Sequence, residues 1–509
     1  MSGKLKTILL LALIGVLLVG AGGVQQSLNR DRDRLGLTRV QPLENAPPVL
    51  AFTTVALGGF RGLIANALWI RASDLQDEDK FFEMAQLADW ITKLEPHFVQ
   101  VWLVQAWNMA YNISVKFKDF DDRWRWVQRG IALLRDDGLR FNPNETLIYR
   151  ELAWFFQHKM GANLDDANMR YKQEWLKEMS KVFGNKTPDL DELINASTDD
   201  ARQRYQLLTN KYKMDPKFMK QVDERYGPLE WRLPESHAIY WGAMGLEKAR
   251  EHPTKVKADD LIQLRRAVYQ SMQLSFQRGR LAANPLAKSF EFGPNLDIIP
   301  KVSAAYEQAM DEDAPNRDHI EKAHRNFLRD AVYFLYENNR LADSAQWYRY
   351  LGEKYPDKFL LDGNTNSFPR NLTLNEYAVE RIKEVVGETS RDGVKAAIEG
   401  MLVRGYVDLV TGQHERSAGY RLKARLLRDS YMSNIKGNEE RLRLPPVEEI
   451  EKEIRERLLD PTAAMMPFEM RAILRTELRL PPEITITAPT GGTNAPAGRT
   501  NAPVVAPSK

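Results

Sequence analysis

Apolar residues recur at helical spacing over most of this chain, from Gly59 to Leu480, and valine and isoleucine do not gather into alternating strand-like runs. Capping residues, prolines and glycines interrupt the pattern often. Asp215, for example, can cap a helix that Pro216 begins. The chain has 509 residues, too many for one compact core. The sequence therefore predicts an all-α fold with almost no strand, built as several domains or as an extended helical array.

Composition excludes several kinds of site. The chain has no cysteine, so disulfides, zinc–thiolate sites, iron–sulfur clusters and thiol nucleophiles are excluded. Its 72 basic residues nearly balance 69 acidic residues, whereas a nucleic-acid binder needs a concentrated basic face. Neither a phosphate-binding glycine loop nor a His-Glu-x-x-His pattern occurs. We therefore expect no nucleic-acid partner, no metal and no cofactor.

The N-terminus has the pattern of an export signal, a basic start followed by an apolar core. Lys4 and Lys6 precede an apolar run of 17 residues, Ile8–Val24. That length is at the short limit for a helix that spans a bilayer, and the small residues in Val19–Ala21 fit a cleavage site. Both a retained anchor and a cleaved signal fit the pattern. We favour a single-pass anchor because the run is longer than a typical signal core.

The orientation of this anchor depends on two rules that conflict. A basic head and a leading apolar run favour export of everything after Val24. Four basic residues after the run, Arg30, Arg32, Arg34 and Arg39, favour keeping that side in the cytoplasm. Long domains cross membranes largely regardless of nearby charge. We therefore expect the body to be exported, in a periplasmic or other extracytoplasmic location.

A second apolar stretch, Val49–Ile70, has Arg61 near its centre. An arginine at the middle of a bilayer costs about 2.5–3.5 kcal/mol even on the most lenient insertion scale. We therefore interpret the stretch as a buried or interfacial helix, with a second membrane span as the alternative.

One arrangement of residues occurs twice in the body: a proline, an aromatic residue six positions later and a small residue four positions after that. Its two copies are Pro96, Trp102 and Ala106, and Pro143, Tyr149 and Ala153, the second with Leu152 and Phe156 beside it. This arrangement resembles the tetratricopeptide repeat (TPR) family. In that family the small residue lets two antiparallel helices approach closely, while large neighbours fill the groove beside it. The resemblance implies helical hairpins that present an extended surface to protein partners.

Two further segments fit the family in part. The first combines Phe327, Ala331 and Phe334 with Ser344, Tyr348, Leu351, Tyr355 and Pro356. The second has only the small positions, Gly405, Gly412, Ser417 and Ala424. The chain also departs from the family, because Pro96 and Pro143 are 47 residues apart whereas the repeat has 34. A generic helical bundle remains the alternative.

The expected architecture is an α-solenoid of TPR-like antiparallel hairpins with a helical insertion, an N-terminal transmembrane helix and a disordered C-terminal tail. The predicted segments are a signal anchor (1–25), a linker (26–48), hairpins (49–160), a polar helical insertion (161–230), hairpins (231–360), a connecting segment (361–393), a last hairpin with amphipathic helices (394–480) and a disordered tail (481–509).

One pair of residues suggests catalysis. Glu235 and Ser236 precede the small-residue stretch Gly242–Leu246. This resembles lytic transglycosylases, which cleave peptidoglycan with one glutamate as general acid and base. The gap between the two elements is too short for that family, and Glu247 stands where a glutamine is expected. The alternative is the first turn of a helix that begins at Pro234.

Other candidate groups have structural explanations. Asp119, Asp121 and Asp122 lack the glycine and distal glutamate of a calcium loop, so we expect them to cap the following helix. His319 and His324 are five positions apart and therefore do not share one helix face. Five tryptophans lie close together in the sequence, and we expect core packing, with an aromatic-lined groove for a peptide or glycan as the alternative. They are Trp102, Trp107, Trp124, Trp126 and Trp154.

No catalytic, cofactor-binding or metal-binding residue is therefore assigned from the sequence. The leading hypothesis is a non-enzymatic, membrane-anchored scaffold that binds protein partners. Two alternatives stay open: a cell-wall glycan-cleaving enzyme with Glu235 as its acid, and an accessory subunit of a membrane complex with Val49–Ile70 at the bilayer.

Overall fold

The computed structural model describes residues 61–483, except 185–186, 254–256, 285–288, 363, 387–390, 436–442 and 464, together with scattered positions between 13 and 31. Helices make up nearly all of the secondary structure in this part of the chain, so the predicted all-α class is confirmed. Most of the predicted anchor (1–25), all but a few residues of the linker (26–48) and nearly all of the tail (481–509) lie outside the described residues. Within the described part, no helix is both long enough and apolar enough to cross a membrane.

The described residues form two compact units, divided between Asn108 and Met109. The first unit contains α1 (Arg61–Asp77), α2 (Phe81–Leu94) and α3 (Val99–Trp107). The helices of the second are α4 (Phe120–Ala132), α5 (Leu139–Phe141), α6 (Thr146–Trp154), α7 (Asn168–Phe183), α8 (Leu190–Asn195), α9 (Asp199–Gln206), α10 (Pro216–Tyr226), α11 (Pro234–Glu251), α12 (Ala258–Arg278), α13 (Ile299–Glu312), α14 (Arg317–Glu337), α15 (Leu341–Lys354), α16 (Leu374–Val386), α17 (Arg391–Val410), α18 (His414–Asn434), α19 (Val447–Leu459) and α20 (Phe468–Glu477).

Some helices continue into wider or tighter turns. Wider π-helical turns follow α3, α4, α6 and α9 without a break, at Asn108–Ile113, Leu133–Gly138, Phe155–Gly161 and Leu207–Lys211. Tighter 3₁₀ turns occur at Ser114–Lys116, Leu296–Ile298 and Ala314–Asn316.

The first unit is a helical hairpin, α1 and α2, with α3 packed against α2. Ala65 and Ala88 are buried where α1 meets α2, together with Ile91 and Val101. The small side chains of Ala65 and Ala88 let the axes of α1 and α2 approach closely. The amide of Gln105 on α3 donates to the backbone oxygen of Ala85 on α2, at 3.2 Å.

The six-residue spacing between proline and aromatic residue corresponds to one local hydrogen bond, which occurs in both copies. The indole Nε1 of Trp102 donates to the carbonyl oxygen of Pro96 at 2.8 Å. The hydroxyl of Tyr149 donates to the carbonyl oxygen of Pro143 at 2.7 Å. The small residues four positions later are fully buried in both copies. The sequence pattern thus marks a corner in which the aromatic side chain ties a helix to the chain that enters it.

At the centre of the second unit, α11 packs against both α6 and α12. Gly242 and Gly245 on α11 make this contact close. A Cβ atom at Gly242 would lie 2.8 Å from Val268, and one at Gly245 would lie 2.8 Å from Tyr149. The small residues that suggested a transglycosylase motif are therefore needed for helix packing. Ala153, predicted to be buried, is fully buried in this contact.

The region predicted as a polar insertion, 161–230, contains α7, α8, α9 and α10. It lies in the sequence between α6 and α11, which are partners in the fold. Asp215 caps α10 as predicted, since its Oδ1 accepts a hydrogen bond from the amide of Lys217 at 3.0 Å. The same segment is tied to α11, because the amide of Asp215 donates to the Tyr240 hydroxyl at 2.9 Å.

Three helical hairpins in the two units share one type of turn. The second turn residue has a positive φ in each: Asp79 at 58°, Asn339 at 60° and Gly412 at 73°. The next backbone amide then donates to a carbonyl oxygen five residues earlier at 2.8 Å in each hairpin. Asparagine, aspartate and glycine tolerate this left-handed conformation best. Two of these turns join α14 to α15 and α17 to α18, the segments with partial TPR spacing.

The strands of the described residues are confined to one short antiparallel hairpin, as the expectation of almost no strand predicts. Strand β1 (Arg280–Asn284) pairs with β2 (Ser289–Gly293), with Arg280 opposite Gly293. The hairpin follows α12 after Gly279, and the sequence of β2, Ser-Phe-Glu-Phe-Gly, alternates polar and apolar residues. The predicted connecting segment, 361–393, also contains a helix, α16.

The C-terminal helices share one apolar core. Helix α17 packs against α18, α19 and α20. The stripe predicted on α19, formed by Val447, Ile450, Ile454 and Leu458, is buried in this core as expected. Gly419 on α18 lies so close to α14 that an added Cβ would be 1.8 Å from the carbonyl oxygen of Glu337. Only glycine fits there.

Candidate functional site

The carboxylate of Glu235 lies inside the second unit, in the first turn of α11. The residue is 2% exposed, and its Oε1 accepts a hydrogen bond from Nε of Arg278 at 2.9 Å. Burial raises the pKa of Glu235, and the charges of Arg278 and Lys172 act against this increase. The raised pKa fits a general acid, but a buried and ion-paired carboxylate is not accessible to a glycan.

Two cations, Lys172 and Arg278, and two asparagines, Asn163 and Asn168, complete the network around the buried Glu235. The ammonium group of Lys172 on α7 donates to Oδ1 of Asn163 at 3.0 Å and to Oδ1 of Asn168 at 2.9 Å. Arg278 Nη1 also donates to Oδ1 of Asn163, at 2.9 Å. Burial lowers the pKa of Lys172 to about 8, with the charge of Arg278 acting in the same direction. The network joins α7 to α11 and α12, so its evident role is to hold the insertion against the centre of the unit.

The two residues after Glu235 have local structural roles. The hydroxyl of Ser236 donates to the carbonyl oxygen of Glu230 at 2.7 Å. Nε2 of His237 lies 2.8 Å from the carbonyl oxygen of Trp231, to which it donates. Burial lowers the pKa of His237 to about 4. The histidine is therefore neutral at physiological pH, and the Glu-Ser-His sequence does not form a nucleophile–base pair.

The other candidates also have structural roles. Asp119 caps α4 as predicted, since its Oδ1 accepts from the amides of Asp121 and Asp122 at 2.7 and 3.1 Å. His324 is buried between Ser303 Oγ and the Tyr355 hydroxyl, at 2.9 and 2.8 Å. No group of three or more potential metal ligands occurs among the described residues.

The five clustered tryptophans divide between core and surface. Trp102 and Trp124 are buried, as expected for core packing. Trp126 and Trp154 are half-buried, and Trp107 is exposed. Trp154 stacks on His158 with 4.4 Å between ring centroids. Core packing is therefore the role of two of the five.

An open groove lies elsewhere in the second unit, among α10, α11, α12 and α13. Its main cavity has a volume of about 310 Å³. A smaller cavity of about 130 Å³ adjoins it between α10 and α11, and the two share the walls formed by Arg225, Tyr226, Leu246 and Arg250. We call the two cavities together the interhelical groove.

The floor of the interhelical groove is mainly apolar. Leu246 and Ala249 come from α11, Val268 from α12, and Ala305 and Ala309 from α13. On each helix the groove residues recur three or four positions apart, so each helix contributes one face. Concave apolar surfaces with a few convergent polar groups are the usual form of a binding site.

Three guanidinium groups converge on the groove. Arg265 forms an ion pair with Glu312 at 2.7 Å, and Arg250 forms one with Glu247 at 3.0 Å. The guanidinium carbon of Arg225 lies 5.2 Å from the ring centroid of Tyr226. No carboxylate of the described residues pairs with Arg225.

Tyr226 reports the electrostatic environment of the groove. Burial raises the pKa of its hydroxyl, and the charges of Arg225, Arg250 and Arg265 each act to lower that pKa. The charge of Glu312 acts in the opposite direction, so three guanidinium groups and one carboxylate influence this phenolic oxygen.

Polar bridges hold the walls of the groove in place. The ammonium group of Lys301 on α13 donates to the backbone oxygen of Glu224, near the end of α10, at 2.6 Å. A cation at the C-terminal end of a helix is favourable. Arg266 on α12 donates to Asp313, just after α13, at 2.5 Å. These contacts hold the helices that line the groove together.

Sequence reasoning did not identify the groove. Its residues lie between Phe218 and Glu312 on four helices, and only the tertiary structure brings them together. The available signal was one arginine on each of three helices, Arg225, Arg250 and Arg265, but charged residues on helices are usually solvated.

Comparison of the chain with models of known protein families, with curated proteins and with solved structures found no match. Any function proposed for it therefore rests on its own sequence and geometry.

Proposed function

We propose that this chain is a membrane-anchored, non-enzymatic scaffold that binds segments of partner proteins in the interhelical groove. The groove carries the proposal, because it is open, concave, apolar at its floor and held by four helices. The apolar run Ile8–Val24 supports anchoring, and the TPR-like spacing supports a protein-binding role. The groove holds arginines, tyrosines and two carboxylates that are already paired with arginine. This set of side chains suits recognition better than acid–base chemistry.

Peptide selection tests the proposal. The full-length chain, purified in detergent, is used to select peptides from a random display library. The test variant is Ala305→Trp, which places a large side chain in the groove. The matched control is Ala304→Trp, because Ala304 is the neighbouring residue on α13 and is exposed outside the groove.

We expect the wild type and Ala304→Trp to enrich a common set of peptides that Ala305→Trp does not bind. Circular dichroism and thermal unfolding establish that both variants are folded. A folded Ala305→Trp protein that enriches the same peptides as the wild type would show that the groove is not the binding site. A wild type that enriches no peptide would reject the scaffold proposal.

A glycan-cleaving activity has weaker support. A general acid must contact the glycosidic oxygen, whereas Glu235 is buried and paired with Arg278. Release of soluble fragments from peptidoglycan by the wild type, lost in a folded Glu235→Gln variant, would establish the enzyme hypothesis instead.

An accessory role in a membrane complex has one specific observation in its favour. Leu63 and Ile70 are two turns apart on α1, and each is 64% exposed. Large exposed apolar side chains on one helix face are typical of a surface that contacts a partner or lipid. Ile70→Glu should then reduce co-purification with integral membrane proteins, whereas Gln76→Glu, at an exposed polar position on another face of the same helix, should not. Equal co-purification of both variants would reject this role.

A further inference from the structure

We infer that the segment bound in the interhelical groove is acidic and carries one large apolar side chain. This inference rests on the proposed function and adds the chemical class of the partner segment. It follows from the charges on the rim, the shape of the floor and the composition of the chain's own terminal segments.

The rim carries unbalanced positive charge. Arg225, Arg250 and Arg265 line the groove, against the two carboxylates of Glu247 and Glu312. Glu247 pairs with Arg250 and Glu312 pairs with Arg265, so the charge of Arg225 is not balanced by a carboxylate of the groove. Guanidinium groups bind carboxylates through paired hydrogen bonds. A segment with acidic side chains therefore complements this rim, whereas a basic segment is repelled.

The ion pair between Arg250 and Glu247 is accessible for exchange. The side chains of Arg250 and Glu247 are 58% and 45% exposed, so this pair contributes little to stability. An incoming carboxylate can then share Arg250 at a small cost. Such exposed charges influence specificity and association rate more than total affinity.

The floor requires an apolar group in the same ligand. Leu246, Val268 and Ala309 face a cavity of about 310 Å³ that is open to solvent. Burying a leucine or aromatic side chain there would remove apolar surface from water, whereas a purely acidic chain would leave this surface hydrated. A phosphate chain is disfavoured for the same reason, and because nucleic-acid binding needs a longer basic surface.

The groove is also distinct from the repeat surface that the TPR resemblance implies. One wall is α10, which belongs to the region 161–230 that does not fit the repeat pattern. Recognition at this site would therefore depend on the insertion of this chain and not on the TPR-like hairpins.

The chain's own terminal segments do not match the groove. Residues 484–509 contain no aspartate or glutamate, and the linker 26–48 has four arginines against three acidic residues. Neither of these segments therefore supplies the acidic occupant, and the proposal commits to a segment of a partner protein.

A peptide series tests the inference with the full-length chain. Each short peptide has one central tryptophan or leucine, flanked by glutamate, by glutamine or by lysine. Binding is measured by fluorescence anisotropy at about 0.1 M and about 1 M salt, between which the screening length falls from about 10 Å to about 3 Å. The test variant is Arg225→Glu combined with Arg250→Glu. The control is Arg370→Glu, an exposed arginine outside the groove that also pairs with a carboxylate, Asp357.

We expect glutamate-flanked peptides to bind most tightly, and less tightly at high salt. The double variant should bind them about tenfold more weakly, because it loses two ion pairs with the peptide. This estimate takes each pair from the upper part of the range measured for exposed ion pairs. The same variant should bind lysine-flanked peptides more tightly than the wild type does, while Arg370→Glu should match the wild type. The reversed preference also shows that the double variant is folded.

The outcomes separate this inference from the proposed function. One outcome is a set of library peptides that bind the wild type, do not bind the Ala305→Trp variant and show no excess of acidic residues. This result would overturn the inference and leave the scaffold proposal intact. Equal affinity for the three peptide classes would do the same. Displacement of the glutamate-flanked peptide by a single-stranded oligonucleotide of similar length, at equal concentration, would indicate a general polyanion site and would also overturn it. A wild type that enriches no library peptide and binds none of the series would reject both.

Discussion

Removing the guanidinium group of Arg278 should destabilise the second unit strongly. Arg278 pairs with Glu235 at 2.9 Å, and the two side chains are only 16% and 3% exposed. Breaking a buried ion pair by removing one partner costs about 3–5 kcal/mol, because the other charge stays buried. Lys172 remains near Glu235 and compensates in part. We therefore expect Arg278→Ala to lower the free energy of unfolding by about 3 kcal/mol, near the lower end of that range.

The stability lost in the Arg278→Ala variant should become smaller at lower pH. Burial already raises the pKa of Glu235 above its ordinary value of 4.5, and Arg278 opposes that increase. Without Arg278 the pKa in the folded protein rises further. A carboxyl group whose pKa is higher in the folded than in the unfolded state lowers stability above its folded pKa, and this effect disappears as the pH falls towards the unfolded value. The destabilisation caused by Arg278→Ala should therefore become smaller on acidification towards pH 4.5.

The assay is urea unfolding followed by tryptophan fluorescence, since Trp175 and Trp231 are buried in the second unit. The control is Arg125→Ala, because Arg125 pairs with Asp122 at 2.6 Å but is 69% exposed. We expect the control to change stability by about 1 kcal/mol or less. Combining Arg278→Met with Glu235→Gln should recover most of the loss, since neither partner of the pair is then left buried with its charge, and the opposing effects of the two groups on Lys172 are removed together. An Arg278→Ala protein as stable as the control, or with a loss that grows on acidification, would refute this account.

Three further predictions address packing, titration and topology. Ala153→Trp should overpack the contact of α6 with α11 and lower the free energy of unfolding by about 1–3 kcal/mol. The control, Ala304→Trp at an exposed position, should change it by about 0.5 kcal/mol or less. Equal effects of the two variants in urea unfolding would contradict the close packing. The pKa of Lys172 is lowered from 10.5 to about 8, so its charged form lowers stability fully below pH 8 and this effect fades towards pH 10.5. The wild type should therefore gain stability relative to Lys172→Met as the pH rises through that range, and a difference independent of pH would contradict the shift. If the body is exported, protease added to cells with an opened outer barrier should digest it while a cytoplasmic marker survives; protection until the inner membrane is broken would mean the opposite orientation.

Local patterns in the sequence determined several features of this protein. The helical class follows from apolar spacing, which acts within a few turns. The cap at Asp119 and the buried stripe of α19 were also predictable from neighbouring residues. The six-residue spacing of Pro143 and Tyr149 was visible as a pattern, and the structure shows the hydrogen bond that the spacing permits. The cap and the hydrogen bond depend on contacts between residues close in sequence, whereas the stripe is visible in the local spacing of apolar residues.

Tertiary structure decided the features that depend on distant residues. Glu235 lies in the first turn of its helix as predicted, but its burial depends on Arg278 and on Lys172, which belong to other helices. The interhelical groove forms only because the fold places Arg225 of α10 and Arg265 of α12 beside the same cavity. Burial and the pKa values that follow from it are set by the whole packing around a group. A periodic pattern shows which face of a helix is apolar, whereas the partner of that face is chosen by long-range packing.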